Sequence, residues 1–509
     1  MLAKVLSGAV VGLDAVLITV EVDISSRSLP SFTIVGLPDK AVEESKERVR
    51  AAIRNSGAEF PDHRITVNLA PADLPKAGPS YDLPIAIGML IASGQLPPLA
   101  HSAMFIGELS LDGSLRHTNG ILPIAMMVKG AKSMSDIFVP QGDAKEAAII
   151  RGINVYPVTS LLAIYHHFTG SQKISPHPYV QFSTLTVPSG FTFDFADVAG
   201  QEQVKRALEI AAAGNHNIFM QGPPGAGKTM LARCLPSILP AMTEQEALDV
   251  TKIYSVTGSL PDGESVVKIR PFRSPHHTTS RIGLIGGGTH PVPGEISLAH
   301  RGVLFLDEFP EYPRHVLEAL RQPIEDGVVV ISRAIGSVRY PSQFMLVAAA
   351  NPCPCGNYRS VLRACTCLPG MVARYQKRIS GPIMDRIDIH VTVPTVPTEK
   401  LTNAYISESS ALIKRRVQLA RNRQLRRMLP IGVASNAEMN TRQVKEYCPL
   451  LPEAGSFMRQ AVSKFSLSAR GYYRVIKVAR TIADIAGEAH IALPHVAEAL
   501  QYRPVDTTF

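Results

Sequence analysis

The strongest chemical signal in this 509-residue sequence is GPPGAGKT at 222–229. Gly222, Gly227, Lys228 and Thr229 fit the spacing G-x-x-x-x-G-K-[ST], with Pro223, Pro224, Gly225 and Ala226 between them. Glycines let the backbone fold tightly enough for successive N–H groups and a helix N-terminus to face phosphate oxygens. Lys228 would then reach the β- and γ-phosphates of ATP, and Thr229 would ligate Mg²⁺. The flanks suit the motif: an apolar strand at 217–220 precedes it and the helix-like MLARCLPSIL follows.

A second motif, VLFLDE at 303–308, places Asp307 and Glu308 at the end of four apolar residues. Such a run predicts a buried parallel strand with the two carboxylates emerging from it. Asp307 suits a Mg²⁺-bound water and Glu308 suits activation of the attacking water. A third strand, FMLVAAAN (344–351), ends in Asn351, whose amide could orient that water. Arg386, in SGPIMDRIDIH, has no obvious partner in its own strand–helix unit; it is either a surface arginine or one offered to a neighbouring subunit's phosphates. Arg470 starts a helix near the C-terminus and is either exposed or able to close onto the γ-phosphate.

Four of the six cysteines form C-x-C-x₉-C-x-C: Cys353, Cys355, Cys365 and Cys367. Two close thiol pairs can surround a tetrahedral Zn²⁺, and Pro354 and Gly356 favour the tight turns of a metal loop. Redox-active disulfides are the alternative, because C-x-C is less usual than C-x₂-C in zinc sites. Cys234 and Cys448 stand alone and are read as core residues.

The elements that must position these groups divide the chain. Residues 1–170 alternate strand and helix signals, with strands expected at 15–23, 31–36, 64–70, 103–109 and 136–140 and a helix over Lys40 to Asn55. SQKISPHPYVQFSTLTVPSG (171–190) is polar and proline-rich, as in a linker. A P-loop α/β core is expected over 191–396, with insertions at 268–300 and 327–341 and the cysteine-rich loop at 353–367. A basic helical lid follows over 397–509, where residues 401–509 hold 16 Lys+Arg against 8 Asp+Glu. Its densest part, KRRVQLARNRQLRR (414–427), is either a solvated helix face or a surface that follows phosphates, Arg415 and Arg416 among it. The whole chain carries +9 at pH 7, which favours an anionic partner. No apolar run reaches the roughly 18 residues a membrane span needs, Asp14 interrupts the apolar N-terminus, and so few cysteines exclude a disulfide scaffold. A cytoplasmic protein is expected.

The P-loop, VLFLDE, AAANP and DRID in this order resemble an AAA+ ATPase. RPFRSPHHTTSRIGLIGGG (270–288) and PGEISLAHRGVLFLDE are similar to the magnesium chelatase-like branch, and the full length is similar to that branch's bacterial ComM/YifB group. The resemblance implies a homohexameric ring with ATP sites between subunits. In it, Lys228, Thr229, Asp307, Glu308 and Asn351 act in cis, Arg386 is a trans arginine finger, and Arg470 holds the sensor-2 position with Arg474 as rival. It also implies an ATP-driven translocase or helicase on single-stranded and branched DNA, promoting branch migration in recombination and natural transformation. Related rings project insertions into the pore, which would bring Arg333 and Arg339 of the 327–341 hairpin to DNA; His276 and His277 either reach the pore or, with Arg273, brace the nucleotide site or subunit interface.

PKAGPSYDLPIA (75–86) resembles the Lon protease domain, so an α+β, ribosomal-S5-domain-2-like fold is expected at the N-terminus. Ser80 stands where that family has its nucleophile, but Leu122 or its neighbours stand where its lysine base is expected and Lys129 comes late. Ser80 is therefore read as a turn residue and proteolysis as lost. The competing functions are a DNA motor, a chelatase-type remodeller of a protein partner, and an ATP-dependent protease.

Overall fold

Alternation along the first long strands decides where the N-terminal core lies. In the computed structural model, which describes residues 1–25, 29–131, 133–184, 190–261, 263–288, 291–333, 336–359, 363–396 and 407–503, Ile18, Val20 and Val22 of the strand Asp14–Ser25 are buried while Asp23 faces solvent. The residues before it, Leu2–Val11, form a further strand paired antiparallel to it, with Leu6 opposite Thr19. This pair sits at the centre of a seven-stranded mixed sheet in the order Ser31–Val35, Arg64–Ala70, Asp14–Ser25, Leu2–Val11, Ala103–Phe105, Asp136–Pro140, Asn154–Val158. The helix Lys40–Asn55 is capped by Asp39, which accepts from the Val42 N–H at 2.8 Å, and it buries Val42, Val49, Ala52 and Ile53 as its spacing predicts. Ser80 lies in a single 3-10 turn, Pro79–Tyr81, and its carbonyl accepts from the Gly107 N–H. Lys129 ends the helix Ile121–Gly130.

The chain forms two compact units, Met1–Val187 with Glu244–Lys268, and Pro188–Thr243 with Ile269–Phe509. Two sequence-based boundaries differ from this. Residues 171–184 are packed onto the first unit: the Val180 N–H donates to Ala148 O at 2.9 Å and His177 bridges to Val155. The helix Glu244–Val256, although encoded inside the P-loop block, also belongs to the first unit. Lys252 pairs with Asp14 at 2.7 Å, Ser255 O accepts from the Gly120 N–H, and Ser255 Oγ donates to Glu146 Oε1 at 2.6 Å.

That last bond makes a pH-dependent contact. Glu146 Oε1 also accepts from the Leu122 N–H at 2.8 Å, at the start of Ile121–Gly130. Burial pushes the Glu146 carboxyl up to about 7, against the opposing pull of its two hydrogen bonds. A carboxyl raised in the folded state favours folding below its unfolded value and loses that contribution as pH rises through about 7. The cost at pH 8 is about 3 kcal/mol. Glu146→Gln keeps the acceptor without the charge, so at pH 8 it is expected to slow exchange of the Leu122 amide and to flatten the loss of stability between pH 5 and 8. Equal pH slopes in both proteins would refute this.

The second unit is built on a five-stranded parallel sheet in the order Phe272–Arg273, Val303–Leu306, Met345–Ala350, Ile218–Gln221, Ile389–Thr392. Val303–Leu306 and Met345–Ala350 are buried at every position, as parallel strands covered on both faces must be. Register fixes the site: Gln221 lies opposite Ala350 and Leu306 opposite Ala348, so Gly222, Asn351 and Asp307 all leave the sheet at one edge. The helices Glu202–Gly214, Lys228–Ile238, Ser410–Met428 and Ala469–Ala486 share a single apolar core, which joins the C-terminal helices to the P-loop helix. Val328–Arg333 and Gly336–Pro341 form the expected hairpin, with Val330 opposite Arg339; its turn at 334–335 lies outside the described residues. No helix among the described residues is long and apolar enough to cross a membrane.

Candidate active site

Glycine is needed in the P-loop for two different reasons. Gly225 and Gly227 have φ of +78° and +88°, which other residues adopt only with strain. At Gly222 a Cβ would meet Val393 O at 2.3 Å, so close backbone approach excludes any side chain. Gly227 precedes the helix Lys228–Ile238, whose first turn has no side-chain cap, leaving its N–H groups to an anion.

Lys228 is 9% exposed, and burial lowers the pKa of its ammonium. Its Nζ donates to Gly222 O at 2.7 Å, Pro223 O at 3.0 Å and Asn351 Oδ1 at 2.9 Å. The ammonium is thus held at the mouth of the loop by groups that phosphate oxygens can replace. Thr229 Oγ1 donates to Asp307 Oδ2 at 2.6 Å, and Asp307 Oδ1 accepts from the Glu308 N–H at 2.9 Å. A hydroxyl beside a carboxylate next to a phosphate loop is the oxygen donor set that Mg²⁺ takes, with water and substrate filling its remaining positions. The residues present fit that ion.

Glu308 has φ +50° and a side chain that is 55% exposed, directed toward solvent beyond the strand. His277 Nδ1 lies 3.2 Å from Glu308 Oε2, and the His277 ring lies against His276 with centroids 4.1 Å apart. Tyr312 OH donates to Pro275 O at 2.6 Å and fixes the segment that carries both histidines. His277 therefore stands at the acidic residue of the nucleotide site. The sequence holds the histidines but no sign of this pairing, because His277 and Glu308 lie 31 positions apart along a changing backbone.

Arg386 and Arg470 are grouped elsewhere. Arg386 is 8% exposed, donates to Pro382 O at 2.6 Å and pairs with Glu325 at 2.6 Å, which holds the Glu325 carboxyl below its ordinary range. Arg470, 64% exposed, approaches the same carboxylate at 3.6 Å, and Arg474 pairs with Asp388 at 3.4 Å. Glu325 is the residue that sequence reasoning missed here.

The four clustered cysteines converge. Cys353, Cys355 and Cys365 have sulfur separations of 3.4, 3.6 and 3.7 Å, and all four sulfurs lie within 4.8 Å of one another. A tetrahedral Zn²⁺ with bonds of about 2.3 Å requires sulfurs about 3.8 Å apart, whereas a disulfide requires about 2.05 Å. The donor set fits zinc, and all six cysteines are free thiols. Burial pushes the Cys234 and Cys448 thiols up to about 12, as expected of unreactive core residues.

The basic residues divide into braced and exposed. Arg270 is buried and donates to Pro240 O, Ala241 O and Arg301 O, and Arg273 pairs with Glu295 through two bonds of 2.6 and 2.7 Å. In the dense run, Arg416 is held by Glu209 at 2.6 Å and by Glu408; Arg421 donates to Ala434 O, and Arg427 pairs with Asp484. Arg415, Arg426 and Arg339 are exposed. The side chain of Arg333 lies outside the described residues.

Family models described as magnesium chelatase subunit ChlI match residues 194–401, with a ChlI model over 20–143 and the ChlI C-terminal model over 407–503. The chain is 44% identical over 506 residues to the competence protein ComM of Haemophilus influenzae, covering 99% of this chain and 97% of that one. It is also 44% identical over 504 residues to YifB of Escherichia coli, covering 98% and 96%. The magnesium-chelatase 38 kDa subunit of Rhodobacter capsulatus is 28% identical over 179 residues, covering 31% of this chain and 50% of that subunit.

Proposed function

We propose a function from one premise: the chain belongs to the ComM/YifB group of magnesium chelatase-like AAA+ ATPases. It is a ring-forming ATP hydrolase that moves DNA, acting as a helicase in branch migration during recombination, including uptake-linked recombination in a competent cell. The observation that carries the ATPase part is the convergence of Lys228, Thr229, Asp307, Glu308 and Asn351 at one edge of the sheet. Full-length likeness to a protein named for competence favours DNA as the substrate moved.

Lys228 and the first-turn N–H groups bind the phosphates, and Thr229 and Asp307 would hold Mg²⁺, which would supply positive charge against the phosphate oxygens. Glu308, once released from His277, accepts the proton of the attacking water. Asn351, freed from Lys228 by the entering phosphate, orients that water. Arg386 is assigned as the arginine finger for a neighbour's γ-phosphate in a homohexamer, and Arg470, which shares Glu325 with it, as the sensor-2 arginine. Zn²⁺ on the four cysteines is structural in this scheme.

The test is steady-state ATPase activity without DNA and with single-stranded, duplex and junction DNA. Stimulation strongest with branched DNA is expected. Activity indifferent to every DNA would favour the second reading, a remodeller of a protein partner, which the partial match to a chelatase subunit supports.

The exposed arginines give a further prediction. Replacing Arg339, Arg415 and Arg426 by alanine should weaken DNA binding and reduce the slope of log K against log salt by about 0.7–0.9 for each phosphate left unneutralised. Arg416→Ala should lower stability through removal of the Glu209 and Glu408 bonds and leave the slope unchanged. The converse pattern would place Arg416 on a DNA phosphate.

A further inference from the structure

The cysteine loop touches the nucleotide site at two separate points. The first is the loop's N-terminal end: Asn351, whose Oδ1 accepts from Lys228 Nζ at 2.9 Å, is followed directly by Pro352 and the buried ligand Cys353. Gln376 donates to Pro352 O at 3.2 Å and pins this junction. The second is Gly356, next to Cys355. A Cβ at Gly356 would lie 2.3 Å from Pro224 Cδ and 2.5 Å from Pro224 Cγ, so its bare backbone sits flat against the second proline of the P-loop. Gly356 has φ +77°, and its N–H donates to Cys353 O at 2.9 Å, which ties the turn on Pro224 to the thiols.

We propose that metal held by Cys353, Cys355, Cys365 and Cys367 positions the phosphate-binding loop, so that nucleotide affinity follows the metal content of the chain. This rests on the ATPase and zinc assignments above. The physical reason is local. Cys365 and Cys367 reach the first thiol pair from the far side of the loop, across nine intervening residues. A single ion bonded to both pairs fixes Cys353 and Cys355, and through them the backbone that supports Pro224 and Asn351. Without the ion, the two thiol pairs are tied to each other only by weak S–H contacts, and the wall against Pro224 rests on the single bonds from the Gly356 N–H to Cys353 O and from Gln376 to Pro352 O. Metal-ligand bonds are strong enough to order a loop of this size. The cysteines and Gly356 are positioning residues: they act through Pro224 and Asn351.

The experiment uses the full-length chain. Metal per chain is measured by elemental analysis, and the tetrathiolate is checked by the absorption of added Co²⁺. Affinity for a fluorescent ATP analogue is then read before stripping with a thiol reagent and chelator, after stripping and reduction, and after return of Zn²⁺. The expected result is one ion per chain, an increase in Kd of at least about tenfold on stripping with unchanged far-UV circular dichroism, and recovery with Zn²⁺. Gly356→Ala separates positioning from folding: it should keep the ion and the Co²⁺ spectrum yet weaken nucleotide binding by a similar factor. An unchanged Kd in the stripped protein or in Gly356→Ala overturns the proposal while leaving the ATPase assignment intact. Absence of any stoichiometric ion overturns it through the zinc assignment, and absence of nucleotide binding by the metal-loaded wild type overturns it through the ATPase assignment.

Discussion

Replacing Glu308 by glutamine lowers ATP turnover by about 10²- to 10⁴-fold, the usual contribution of a positioned general base, and leaves nucleotide affinity near that of the wild type. The separation follows from the geometry. On the proposed reading, Lys228 and the open first turn of its helix would contact the phosphates, and Thr229 and Asp307, joined at 2.6 Å, would hold Mg²⁺. Glu308 takes part in none of these through its side chain; its carboxylate faces His277 and solvent. The glutamine amide retains an oxygen for His277 but cannot accept a proton from water. Phosphate release under saturating ATP measures turnover, and a fluorescent analogue measures affinity. Wild-type turnover in Glu308→Gln removes the general-base role; loss of affinity instead places Glu308 among the binding groups.

Arg386→Ala carries the second large effect, a fall in turnover of about 10³-fold or more if it supplies the transition-state arginine. In this chain the guanidinium is buried against Glu325 and Pro382 O, so its removal also leaves Glu325 without its nearest cation, with Arg470 at 3.6 Å and the field of Arg474 remaining. A mixing experiment isolates the catalytic part. Arg386→Ala retains an intact P-loop, and Lys228→Ala retains an intact Arg386. In rings assembled from equal amounts, about a quarter of the interfaces pair the healthy halves of the two proteins. Activity appearing only on mixing shows that the arginine serves a neighbour's site. Silence on mixing, with assembled rings seen by light scattering, returns Arg386 to a structural pairing with Glu325.

What the sequence disclosed here followed from distance along the chain. The P-loop, Asp307 and Asn351 were legible because each follows a short apolar strand, and parallel pairing brings the ends of such strands together. Ile18, Val20 and Val22 announced their burial by alternation. Leu2–Val11 was obscured because LAKVLSGAVV does not keep apolar and polar residues in alternation, and its pairing with Asp14–Ser25 is a tertiary fact. The dense basic run shows the limit of charge counting. Arg416 meets Glu209 across 207 positions and Arg427 meets Asp484 across 57, so composition marked a basic surface where several arginines are internal braces. Glu325 and the His277–Glu308 pair were invisible for the same reason: nothing local in PIEDG or SPHHT states a partner.

The path of the backbone has a consequence for synthesis. The first unit takes its last helix from Glu244–Lys268, after the P-loop strand and helix have already been made. As the chain leaves the ribosome, the carboxyl of Glu146 and the Gly120 amide therefore wait for Ser255 until the nucleotide-binding segment has also emerged. Neither unit can finish folding before the other has begun. A fragment ending near residue 187 would present an unfinished surface to chaperones and proteases, and a fragment beginning near residue 188 would carry Glu244–Val256 with no partner to fold against. Dissection of this protein thus calls for a graft, in which a short loop replaces 244–268 in the second unit and that segment is appended to the first.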